Sequence, residues 1–274
     1  MIQRTSLSIK LFAECNMSCS YCIQRTQKQY PCIDLREPLQ RHLAKYNYEF
    51  VSIMGGEPLL IPEYVTRLVK IINEMTPETR VTVITNGTQL SPGLVDFFNE
   101  KCVKITLSTN SVNGGEKSLA EISSKAAAGP KVIGHLKEID RLDIRKIVTL
   151  DEGEFATETA MLKEVFSPLR IHVSPDYTTL DEFGAKHLMN FEVSLDKLYR
   201  WYAGDLSWLF LSGTNRNCCD CSESHVMNAD GSMTTLADVQ GNHNIVEGCS
   251  LFENSMGKEN YALYRKILNR YFAV

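Results

Sequence analysis

The sequence predicts an α/β fold in which an open arc of parallel sheet, a partial (β/α)6 TIM barrel, is followed by a short C-terminal extension. Three observations predict it. Between about residue 5 and residue 175, short β-branched runs alternate with amphipathic stretches. The intervening helices have clear start signals, and the rhythm changes after about residue 177. Repeated β-α units imply a parallel sheet with helices outside it, and six are too few to close an eight-stranded barrel.

The expected strands are 6–12, 50–54, 80–85, 103–108, 145–150 and 170–174. Val65, Leu68, Val69 and Ile72 recur at i, i+3, i+4 and i+7 and predict a helix over 62–75 with a proline at its start. A Ser-Pro start predicts another over 91–100. Residues 111–130, rich in Gly, Ser and Ala, read as a mobile loop or short helix over the carboxyl ends of the strands, where such folds gather their chemistry. Beyond 177 the sequence predicts a helix over 193–203, a hairpin turning at Asp230-Gly231 and a closing helix over 258–271. The domains expected are therefore 1–177 and 178–274.

Hydrophobic residues make up 43% of the 274, enough to bury a sizeable core. Lys and Arg number 29 against 33 Asp and Glu, a net charge of −4 that argues against nucleic acid as the partner. No apolar run is long enough to span a membrane, and the start MIQRTSLSIKLF has no secretory pattern, so a soluble cytoplasmic protein is expected.

Nine cysteines stand at 15, 19, 22, 32, 102, 218, 219, 221 and 249. Seven fall into two clusters, a distribution that suits metal ligands better than disulfides. Cys15, Cys19 and Cys22 follow the first strand as C-x3-C-x2-C. Soft thiolates close together on one loop can wrap an iron-sulfur cluster, and three in place of four leave one iron open. A zinc knuckle with a remote fourth ligand is the alternative. Directly after the second expected strand comes Gly55-Gly56-Glu57-Pro58. Its glycines permit close backbone approach to a ligand, and Glu57 can accept a hydrogen bond from an amine. Cys102, ahead of an apolar run, reads as a small buried hydrophobe, and Cys32 as a loop residue that could face the site. The six histidines share no spacing.

In this order and at strand ends, the two motifs resemble the radical S-adenosylmethionine (SAM) superfamily over about residues 5–175, with Thr85-Asn86-Gly87 and Ser108-Thr109-Asn110 similar to its later strand-end signatures. The resemblance implies that Cys15, Cys19 and Cys22 hold a 4Fe-4S cluster whose open iron chelates SAM. Gly55, Gly56 and Glu57 would fix the methionine amino group, with Thr85 and Asn86 also in the cofactor site. Ser108 and Asn110 would lie near ribose or carboxylate, and Tyr21 near adenine or in plain packing. The implied chemistry is reductive cleavage of SAM to a 5′-deoxyadenosyl radical that abstracts hydrogen, fed by an external one-electron reductant of flavodoxin or ferredoxin type.

Cys218, Cys219, Cys221 and Cys249 flank the Asp-Gly hairpin in a region similar to SPASM and twitch extensions, which hold an auxiliary 4Fe-4S cluster. Leu236 stands where that pattern usually has a cysteine, leaving Cys32, Cys102, His225, His243 or substrate as a possible fourth ligand. A zinc ribbon and a site without metal are the other readings. The function expected is a radical SAM oxidoreductase acting on a ribosomally made peptide, with a dehydrogenase or cyclase acting on a sugar, aminocyclitol or nucleotide as the alternative. A zinc-binding adaptor would keep the cysteines but would not need Gly55 to Glu57.

Overall fold

The computed structural model describes residues 2–19, 22, 32–109, 111–112, 127–128, 130–148, 155–167, 169, 171–175, 185–211, 224–235 and 258–272. Among these the strands are β1 (Ile2–Lys10), β2 (Tyr46–Met54), β3 (Arg80–Thr85), β4 (Lys104–Ser108), β5 (Ser111–Val112), β6 (Ala127–Ala128), β7 (Leu142–Val148), β8 (Ile171–Pro175), β9 (Leu209–Leu211), β10 (Ser224–Met227) and β11 (Met233–Thr235). The helices are α1 (Arg36–Leu43), α2 (Pro62–Met75), α3 (Pro92–Glu100), α4 (Pro130–Leu136), α5 (Phe155–Phe166), α6 (Ala185–Trp201) and α7 (Lys258–Tyr271). The expected loop over 111–130 lies largely outside the described residues; 111–112 and 127–128 form a two-stranded parallel pair.

One open sheet runs β11-β10-β1-β2-β3-β4-β7-β8-β9. Eight of its nine strands are parallel and only β11 is antiparallel, so the architecture is a partial TIM barrel. The six expected strands are all present. β2 starts four residues earlier than expected, because Tyr46 and Tyr48 pair with Ile2 and Arg4 of β1 although Asn47 and Glu49 interrupt the apolar pattern. Two further parallel strands join the ends. β9 adds to β8, and β10, one arm of the expected hairpin, hydrogen-bonds alongside β1 with Leu7 opposite His225.

Alternation along the strands separates two faces. Leu7, Ile9, Val51, Ile53, Val81, Val83, Ile105, Leu107, Ile144, Ile171 and Val173 are buried in one core with the helices. Val65, Leu68, Val69 and Ile72, the stripe read from sequence, are each fully buried. Such a side chain is worth about 1.5–3 kcal/mol over exposure, so these four seat α2 on the sheet. The residues between the core positions face the other way, toward the concave side. Register aligns Ser8, Ser52, Thr82 and Lys104 in one row across β1 to β4. A higher row pairs Ser108 with Arg145 and Arg145 with His172.

Cys102 departs from its expected burial. It is exposed with φ of +50°, because it follows α3 as the left-handed residue that ends the helix, its N–H bonded to Asn99 O at 3.0 Å. It also precedes β4, at the opposite edge of the sheet from the Cys15 loop.

Candidate active site

The loop after β1 carries Cys15, Cys19 and Cys22 at the carboxyl edge of the sheet, and the turn after β2 holds it there. Leu11 N–H donates to Met54 O at 2.9 Å, Gly56 N–H to Phe12 O at 2.6 Å and Glu57 N–H to Glu14 O at 2.8 Å, so the β1-β2 ladder continues into both loops. The glycines make this possible by their size. A Cβ on Gly55 would lie 2.7 Å from Phe12 O, and one on Gly56 would lie 2.0 Å from Glu14 O. The structure thus gives the pair a reason the sequence did not show: they admit the cysteine loop itself.

Glu57 and Pro58 complete the turn. Glu57 is the N-cap of a short 3-10 turn, Pro58–Leu60, with its Oε1 accepting from Leu59 N–H at 2.9 Å and proline at the first helical position. Thr85 Oγ1 donates to the same Oε1 at 2.7 Å, and Asn86 N–H to Oε2 at 2.7 Å. With 1% of its surface exposed, Glu57 is a buried carboxylate that ties the ends of β2 and β3 together. Burial pushes its pKa up, and these three hydrogen bonds pull it back. One of its roughly four acceptor positions, on Oε2, is left for anything else.

The end of β3 reaches back to the cysteine loop. Asn86 Nδ2 donates to Asn16 Oδ1 at 2.9 Å, Asn16 Nδ2 to Thr88 Oγ1 at 2.7 Å, and Thr88 Oγ1 to Asn86 Oδ1 at 2.7 Å. Asn16 and Thr88 are site residues that sequence reading passed over, because each looks like an ordinary loop residue until the fold brings 16 beside 86. Arg145 was also missed: register alone places it opposite Ser108.

Cys15 is exposed, and Cys19 and Cys22 are partly so. Burial pushes the Cys15 thiol up, the Met17 amide at 3.4 Å pulls it back, and the charges of Glu57, Cys19 and Cys22 raise it again. Cys19 and Cys22 therefore lie within electrostatic reach of Cys15. Among the described residues no three Cys, His or carboxylate groups converge on one metal ion. An iron-sulfur cube does not ask for that convergence, since it takes one cysteine per iron and keeps the sulfurs apart. A donor set of three accessible thiols on one loop held from two sides fits a cluster.

Cys32 is exposed just beyond the loop, its thiol pushed up by desolvation and then by the nearby Glu14 charge. Ile33 N–H next to it donates to Ala229 O at 2.9 Å in the β10-β11 turn. There Gly231 has φ of +74°, as the expected Asp-Gly hairpin requires. His225 is buried on β10 against the Tyr48 hydroxyl. Tyr21, Asn110, His243, Cys218, Cys219, Cys221 and Cys249 lie outside the described residues.

Residues 9–127 match the model of the Radical SAM superfamily. Among curated proteins, an S-adenosylmethionine-dependent nucleotide dehydratase of Flammeovirga pacifica is 27% identical over 129 residues, 44% of this chain and 43% of that protein. A probable GTP 3′,8-cyclase of Methanocella arvoryzae is 29% identical over 112 residues, 40% of this chain and 35% of that protein. The match thus spans less than half the length of either relative. Two solved structures share the fold. Native anSMEcpe with bound AdoMet and Cp18Cys peptide is 16% identical, with a TM-score of 0.64 over 95% of this chain and 83% of that one. Streptococcus suis SuiB bound to S-adenosylmethionine is 13% identical, with a TM-score of 0.60 over 96% of this chain and 67% of that one.

Proposed function

We propose that residues 9–127 form a radical SAM domain that works through Cys15, Cys19 and Cys22 as ligands of a 4Fe-4S cluster, with SAM seated along the carboxyl edge of β2 to β7. The observation that carries the reading is the clamped loop: Gly55, Gly56 and Glu57 hold the three-thiol segment from the β2 side while Asn86 holds it from β3. When bound, the cluster supplies the electron that cleaves SAM reductively to methionine and a 5′-deoxyadenosyl radical. The chain's own residues orient and shield that chemistry. Glu57 offers its remaining acceptor position to an ammonium group, and Ser108 offers a hydroxyl suited to ribose or carboxylate. Tyr21 and Asn110 complete the cofactor contacts. Cys218, Cys219, Cys221 and Cys249 hold the auxiliary cluster of a SPASM or twitch-type extension, and an external flavodoxin- or ferredoxin-type protein supplies electrons.

Two substrate classes compete, and the concave face favours the small-molecule one. Among its described residues that face carries Lys104 paired with Asp143, which also lies 3.8 Å from His172. Hydroxyls of Ser6, Ser8, Ser52, Thr82, Thr106 and Ser108 share that face by register. Such a polar, hydroxyl-rich lining suits a hydroxylated molecule such as a nucleotide or sugar phosphate, and the names of the two curated relatives concern nucleotides. The peptide reading predicts the opposite preference.

The test is anaerobic reconstitution followed by dithionite and SAM. Wild type should release 5′-deoxyadenosine, and replacement of Cys15, Cys19 and Cys22 together by Ala should abolish it. Release retained by that variant would sink the assignment. Nucleotides and sugar phosphates should stimulate release where peptides do not, and the reverse would restore the peptide reading.

A further inference from the structure

Resting on the cluster assignment above, we infer that Asn86 is a positioning residue for the cluster, presenting an amide hydrogen to the Cys15 sulfur and thereby setting the cluster's reduction potential. Its hydrogen bonds are oriented by one group that can only donate. Thr88 N–H lies 3.0 Å from one terminal atom of the Asn86 side chain, so that atom is the oxygen and the other is the nitrogen. The remaining directions follow around a closed ring: Asn86 Nδ2 to Asn16 Oδ1, Asn16 Nδ2 to Thr88 Oγ1, Thr88 Oγ1 to Asn86 Oδ1.

The ring uses one hydrogen of Asn86 Nδ2. The other is available to Cys15 Sγ, 3.9 Å away. The backbone is held as firmly, because Asn86 N–H donates to the buried Glu57 carboxylate at 2.7 Å. The Asn86 side chain and N–H are thus engaged with Asn16, Thr88, Glu57 and Cys15. Asn86 joins the loop of the first cysteine to the end of β3.

Hydrogen bonds to cluster sulfurs raise the reduction potential, because reduction adds negative charge that the donor stabilises. In the reconstituted enzyme, variants are compared at matched iron content, and the effect of Asn86→Ala should appear in the reduction potential. Its cluster should be harder to reduce, by roughly tenfold in the reduced-to-oxidised ratio at a given potential, which is about 59 mV for one electron. Asn86→Asp, of the same shape, should shift further in the same direction, because a carboxylate replaces the donor. Thr88→Val opens the ring without removing the amide and should shift less than either. EPR-monitored redox titration reads the potential, and isothermal titration reads SAM affinity.

Unchanged potentials in both Asn86 variants overturn the inference. So does a loss of SAM affinity at an unchanged potential, which would return Asn86 to a cofactor contact. Should Asn86→Asp load iron poorly, an unaltered melting temperature places the lesion at the cluster ligand and supports the inference, whereas a lowered one counts against it. A wild type that binds no cluster sinks the underlying assignment, and is seen before any variant is compared.

Discussion

Gly56 shows how a motif residue acts through what it lacks. With Glu14 O 2.0 Å from where a Cβ would stand, and Ala13 O at 2.4 Å, a methyl group can be accommodated only by moving backbone. Gly56→Ala should therefore destabilise the chain by at least about 2 kcal/mol, the upper part of the range for overpacking. For a chain of this size that is roughly 4–8 °C in Tm. Because the displaced backbone is the cysteine loop, the variant should also take up less iron than wild type. Thermal unfolding of the apo protein and iron analysis after reconstitution check the two effects separately. A variant with wild-type Tm and iron content would show that the loop has another way to sit.

At the scale of elements, α1, β2 and β10 meet in a knot of aromatic and imidazole rings. The Tyr48 hydroxyl lies between His42 Nε2 and His225 Nδ1, and the His42 ring stands 4.7 Å from Tyr46 and 5.4 Å from His225. Burial lowers the His42 pKa from 6.5 to about 4, with His225 and Lys45 adding to the shift. Burial also lowers that of His225, with Arg4 adding to it. The folded state therefore binds protons more weakly than the unfolded one, so stability falls as acid is added. For His42 the window runs from about pH 6.5 down to about 4. Each such proton contributes a slope of up to about 1.4 kcal/mol per pH unit. Urea unfolding of the apo protein at intervals between pH 7 and 4 should show this decline, and His42→Phe should flatten it. An equal slope in the variant would assign the acid sensitivity elsewhere.

Across the whole molecule, the C-terminal hairpin is built into the same sheet as the cysteine loop: β10 ladders onto β1, and the turn after it holds Ile33 just beyond that loop. Filling of both cysteine groups predicts more than about four irons per chain after anaerobic reconstitution, since one 4Fe-4S cluster accounts for four. Cys249→Ala should lower that content while SAM binding and uncoupled deoxyadenosine release persist. Iron at or below four in wild type would remove the auxiliary cluster. Among the described residues no helix is long and apolar enough to cross a membrane.

Local pattern was sufficient for the elements whose stability is local or whose burial is one-sided. β3, α2 and α7 lie where alternation, the i, i+3, i+4 stripe and start signals put them, because those periodicities are the geometry of the element itself. The C-x3-C-x2-C loop and Gly55 to Glu57 were legible for the same reason, as chemistry compressed into short windows. Tertiary structure decided what depends on pairs distant in sequence. Asn16 meets Asn86 across 70 positions, Tyr48 meets His225 across 177, and Ser108 faces Arg145 only through strand register. The glycines mark the boundary between the two. Their identity was visible in the sequence, but that they make room for the backbone of Phe12 and Glu14 follows only once two parallel strands lie side by side, because steric exclusion acts through space and leaves no local periodicity.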